Sequence, residues 1–111
     1  MPRDYRVSLA DILEASRKVR QYTEGLTPEM LSMDSKTLDA VIRNLEVIGE
    51  AVRMVPDEIR SAHPEVAWKK IAGLRDILIH RYFGIDLEIV WDIVQTKVPA
   101  LEARVRELLG Q

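Results

Sequence analysis

A short stretch ending at Tyr82 holds the residues whose types and spacing could do chemistry. Asp76 and His80 stand four positions apart. On a helix the carboxylate can then accept a hydrogen bond from one imidazole nitrogen, orient the ring and raise its pKa toward neutrality. A general base or acid uses that arrangement, and so does an ordinary surface pair. Arg75 is the residue that breaks the local pattern. At about 100° per residue it shares a stripe with Trp68, Ile71, Ala72, Leu78, Ile79 and Tyr82, an otherwise apolar or aromatic face. A guanidinium there can run its stem out to solvent, pair with Glu46 or Glu50 of the preceding helix, or bind an anion at the mouth of a cleft. Tyr82 lies on the Arg75 face by its seven-residue spacing, as a core or interface aromatic with a wetted hydroxyl or as the rim of such a cleft.

Other chemistries are poorly supported. The five glycines are scattered singly, and none follows a strand as a phosphate-binding loop requires. The two histidines, His63 and His80, lack a surrounding carboxylate cluster with ligand spacing, so no metal site and no cofactor is expected. With no cysteine there is no disulfide framework, thiolate metal site or cysteine nucleophile. No nucleophile elbow accompanies any serine.

The elements that must position these residues read as helices. The chain has 111 residues, 47% of them apolar and 31% charged, which predicts one domain over residues 1–111 with a real core. Sixteen Lys and Arg balance 18 Asp and Glu, a net charge of -2, so any contact with a polyanion must be local. The local cationic element is the segment with Lys69, Lys70, Arg75, His80 and Arg81. Apolar residues recur at helical spacing throughout, so the fold class is all-α, a bundle of four long helices joined by short turns. The first helix is expected from an N-cap at Ser8 to about Tyr22, ended by Gly25. A short turn follows from Thr27 to Met33, with Pro28 in first position. The second long helix is capped by Ser35 and carries Leu38, Val41, Ile42, Leu45, Ile48 and Val52. Ala40, Val47 and Ala51 widen its stripe enough to touch two neighbours. After Pro56 another short turn leads to a third helix from about Val66 to Tyr82, broken at Gly84. Asp86 caps a fourth that Pro99 should kink or split. Trp68 and Trp91 read as core anchors, and His63 has no assigned role. No window approaches 18 consecutive apolar residues and the N-terminus is charged, which predicts neither a membrane span nor a signal peptide and hence a cytoplasmic protein.

The spacing Arg75, four residues, His80, one residue, Tyr82 spells R-x4-H-x-Y. Upstream lie Arg43-Asn44-Leu45-Glu46-Val47-Ile48-Gly49-Glu50-Ala51 and Trp68-Lys69-Lys70-Ile71-Ala72-Gly73-Leu74-Arg75-Asp76. In these segments, and in Asp86 to Leu101 with Trp91, Pro99 and Leu101, the chain resembles a HepT-like toxin of the HEPN superfamily. The resemblance implies a HEPN-like helical domain with metal-independent endoribonuclease activity, part of a toxin–antitoxin system. It assigns His80 as acid and base, Arg75 as the clamp on phosphate and transition state, and Asp76, where the family often carries Asn, as the group orienting His80. Tyr82 is similar to the tyrosine modified with AMP by a cognate minimal nucleotidyltransferase antitoxin. Glu50 is either part of a solvated face or a support for Arg75.

Arg75 and His80 are about 140° apart around one helix axis, so a straight helix does not aim both at one point. Together with the wide apolar face of the second helix, this predicts a homodimer that brings two motif helices to a shared cleft on RNA. The alternative is a non-catalytic nucleotide-binding or accessory subunit of a nucleotidyltransferase, in which Arg75 and His80 only hold phosphate. A third reading is a purely structural dimer.

Overall fold

The computed structural model describes residues 4–74, 76, 78 and 86–111. All regular elements among them are helical. They are α1 (Tyr5–Thr23), α2 (Pro28–Ser32), α3 (Ser35–Arg53), α4 (Asp57–Ala62), α5 (Trp68–Ala72), α6 (Leu87–Asp92), a π-helical segment (Ile93–Lys97) and α7 (Val98–Leu108). The expected third helix is interrupted within the described residues, α5 ending at Ala72 with a turn at Gly73, whereas its expected end at Tyr82 and the break at Gly84 lie outside them.

Two helix starts fall earlier than their serines suggest. The cap of α1 is Asp4, whose carboxylate accepts from the Arg6 amide at 2.9 Å. Ser8 is instead a fully buried residue of the helix interior. A carboxylate four residues upstream offers the same side-chain acceptor, and starting there extends the apolar face by a turn. Ser8 and Ser16 both lie on that face, and their hydroxyls have no hydrogen-bond partner among the described residues. α1 lies along α3 in the most extensive helix pairing among the described residues. Likewise Asp34, not Ser35, caps α3, taking the Thr37 amide at 3.1 Å and the Thr37 hydroxyl at 2.6 Å. Its two oxygens satisfy two donors where a serine would serve one. Thr27 and Asp86 cap their helices as expected. Gly25, with φ of 77°, turns the chain after α1 in a conformation that suits glycine.

The core is formed by Leu9, Ile12 and Val19 of α1, Val41, Leu45, Ile48 and Val52 of α3, and Val98, Leu101 and Val105 of α7, all buried. The wide stripe on α3 is used within the chain, because this helix packs on α1, α2 and α5 at once. The C-terminal run is not cut at Pro99. Proline cannot donate to the carbonyl four residues back, and the helix accommodates it by widening into the π segment just before, then resuming as α7 with Pro99 in its first turn.

An ion cluster fastens α7 to α1. The Glu102 side chain, only 7% exposed, accepts both Nε and Nη2 of Arg20 at 2.9 and 2.7 Å, and Nη2 of Arg106 at 3.0 Å. Burial is the largest single influence on this carboxyl and pushes its pKa up. The hydrogen bonds and charges of the two arginines together outweigh it and hold the group below the usual carboxylate value.

Candidate active site

The chain approaches the motif through α5. Its start is set by Trp68, whose indole N–H donates to the His63 carbonyl at 2.9 Å while the ring is buried. The bond makes this tryptophan a register pin as well as an apolar anchor. The helix opens at Trp68, two residues later than expected at Val66, because that bond holds the chain from His63 to Ala67 in a tight turn. Beyond it, Ile71, Leu74 and Leu78 are buried at steps of three and four, so the core holds one face of the motif segment. Asp76 lies about 200° around the axis from both Leu74 and Leu78 and is exposed. Lys69 and Lys70 are also exposed and give this side its positive charge.

Of the candidate residues, Asp76 and Glu50 are described, whereas Arg75, His80 and Tyr82 lie outside the described residues. Asp76 meets a residue that motif reasoning missed. Arg53, the last residue of α3, donates from Nε to the Ala72 carbonyl at 3.2 Å, and its Nη2 stands 3.8 Å from Asp76 Oδ2. Its signal in the sequence is slight, a basic residue one turn beyond Glu50 near the helix end, where favourable interaction with the helix dipole is explanation enough. Only the packing of α3 on α5 shows that the guanidinium leaves its own helix.

Glu50 is exposed on α3 and lines an open cavity of about 340 Å³ with Asp11 of α1 and with Arg43, Glu46, Val47, Ala51 and Met54. Asp76 thus stands against Arg53, and Glu50 lines the cavity beside α1. Among the described residues there is no group of three or more His, Asp or Glu arranged to hold a metal ion. Nor, among them, is any helix long and apolar enough to cross a membrane.

With this geometry in view, comparison with known proteins is informative over almost the whole chain. A protein of Methanocaldococcus jannaschii with the provisional name RNase is 47% identical over 110 residues, covering 98% of this chain and 91% of that protein. A protein of Caldanaerobacter subterraneus subsp. tengcongensis, also provisionally named an RNase, is 41% identical over 108 residues, 97% of this chain and 94% of its own length. One from Thermococcus cleftensis, provisionally named ribonuclease HepT, is 39% identical over 108 residues, 97% of this chain and 98% of that protein. No solved structure matches the chain. Residues 12–108 match the family described as ribonuclease HepT-like, a span that takes in α3, α5 and the whole motif. With its all-helical architecture and relatives similar from end to end, the chain belongs to the ribonuclease HepT-like family.

Proposed function

We propose that this protein is a metal-independent endoribonuclease that acts as the toxin of a toxin–antitoxin system. The observation that carries the reading is the R-x4-H-x-Y motif, Arg75 to Tyr82, inside a chain that belongs to a ribonuclease family. RNA brings its own nucleophile, so the protein has three tasks. A base takes the proton of the ribose 2′-OH, an acid gives one to the departing 5′-oxygen, and positive charge stabilises the pentavalent phosphorus between them. The P–O5′ bond breaks as the P–O2′ bond forms, leaving a 2′,3′-cyclic phosphate. His80 is the proton-transferring group, Arg75 the clamp on the phosphate, and Asp76 the carboxylate that orients His80.

A homodimer with both motif helices at one cleft supplies a second His80, so that base and acid are separate imidazoles. The exposed Lys69 and Lys70 favour the RNA backbone on this side of the fold. Regulation follows from Tyr82. AMP placed on its hydroxyl by a minimal nucleotidyltransferase antitoxin adds a phosphodiester anion that occupies Arg75 and an adenosine that fills the groove. The protein works in the cytoplasm, where RNA and ATP are at hand.

The test is cleavage of RNA by purified protein in EDTA, with analysis of the product ends. Wild type leaves 2′,3′-cyclic phosphate, and His80→Ala and Arg75→Ala each lose about a thousandfold in rate, as removal of an acid–base group or phosphate clamp does. Cleavage that persists unchanged in both variants belongs to a contaminant and favours the phosphate-binding accessory module instead.

A further inference from the structure

Arg53 makes two contacts four positions apart, one at the last residue of α5 and one beyond the turn at Gly73. Its Nε–H donates to the Ala72 carbonyl at 3.2 Å and its Nη2 faces Asp76 Oδ2 at 3.8 Å. Ala72 closes α5, and Asp76 lies on the far side of the turn at Gly73. The core fixes one side of this segment through Ile71, Leu74 and Leu78. Apolar contacts of this kind resist separation of the helix from the core but permit small rotations and slides along it. A guanidinium that hydrogen-bonds the carbonyl closing α5 and attracts the carboxylate beyond the turn restricts both movements. In sequence, Arg75 falls between the two contacted residues.

We propose that Arg53 is a positioning residue for the RNA-cleaving motif, holding the segment that follows α5 against α3 and setting the orientation of the Asp76 carboxylate. This rests on the ribonuclease reading. The exposures argue for such a role over simple support of the fold. The Arg53 and Asp76 side chains are 43% and 67% exposed, and a pair so open to water adds little to global stability. Catalytic geometry is far less forgiving, because a displacement near 1 Å can cost about a hundredfold in rate. The same contact is thus weak as a staple and strong as an aiming device.

The experiment is steady-state RNA cleavage by wild type, Arg53→Gln, Arg53→Lys, Asp76→Ala and the Arg53→Gln/Asp76→Ala double variant, with thermal unfolding of each. Arg53→Gln is expected to lower kcat about tenfold with KM within about twofold and the unfolding midpoint nearly unchanged. Arg53→Lys, which returns the charge without the two-pronged shape, recovers part of the loss. In the Asp76→Ala background, Arg53→Gln costs only about twofold more, because the two residues act as one unit. An unchanged kcat in Arg53→Gln overturns the proposal. So does a full tenfold loss in both backgrounds, or a loss that follows the midpoint downward and marks Arg53 as a fold-supporting residue. Failure of wild type itself to cleave RNA refutes the ribonuclease reading, and the positioning role with it, and is distinct from all of these.

Discussion

Replacing Glu102 by alanine removes the acceptor on which three charge-assisted hydrogen bonds converge. Such bonds contribute roughly 1.5–3 kcal/mol each in general, but two features reduce the sum here. Arg20 and Arg106 are 52% and 47% exposed, so both guanidinia can turn into water once the carboxylate is gone. The deleted group is the buried one, so no charge is left stranded in the interior. The loss should therefore be about 2–3 kcal/mol, below the roughly 3–5 kcal/mol of a buried pair broken from the other side. For a chain of this size 1 kcal/mol moves the melting temperature by about 4 °C, which predicts a fall of about 10 °C.

The effect carries a pH signature whose sign is set by the depressed pKa of Glu102. A carboxyl with a lower pKa folded than unfolded stabilises above its unfolded value, roughly 4.3, and loses that stabilisation as pH falls through the folded value. The gap in unfolding free energy between wild type and Glu102→Gln should be full at pH 7 and shrink steadily on acidification below about pH 5. Denaturant titrations followed by circular dichroism at several pH values measure it. A Glu102→Ala melting temperature within 2 °C of wild type at pH 7, roughly half a kcal/mol on the same scale, would refute the assigned role of the cluster. A Glu102→Gln gap that stays constant down to pH 3 would refute the reasoning about its ionisation.

Two further expectations concern assembly and control. Multi-angle light scattering at micromolar concentration should return twice the 12.7 kDa chain mass, and a monomer there removes the shared-cleft arrangement. Incubation of wild type with a cognate nucleotidyltransferase, ATP and Mg²⁺ should add an AMP-sized increment in intact mass and suppress cleavage without unfolding. Tyr82→Phe should stay folded, remain unmodified and retain cleavage, and an equal increment on that variant assigns the modification to another residue.

Much of this molecule is decided by interactions close in sequence, and these are legible from residue types alone. The apolar spacing that makes α1 and α3 helices, the Thr27-Pro28 and Asp86 starts and the left-handed turn at Gly25 all depend on side chains within a few positions of one another. So does the order of types in Arg75-x4-His80-x-Tyr82, which carries the family resemblance. Helix starts at Asp4 and Asp34 are harder to read, because a nearby serine offers a rival cap; at Asp4 the earlier start adds a turn to the helix, and at Asp34 two carboxylate oxygens take two donors of Thr37. Pro99 shows the same limit: local chemistry demands a disturbed helix, while the form it takes, a π segment in an unbroken run, depends on keeping Ile93, Val94, Val98 and Leu101 buried together. Contacts between distant positions leave almost no local trace. Arg20 meets Glu102 from 82 positions away, and Arg53 meets Ala72 from 19. Nothing in the immediate neighbours of either arginine distinguishes it from a solvated surface cation, since a guanidinium gains its partner only when packing brings another helix within reach.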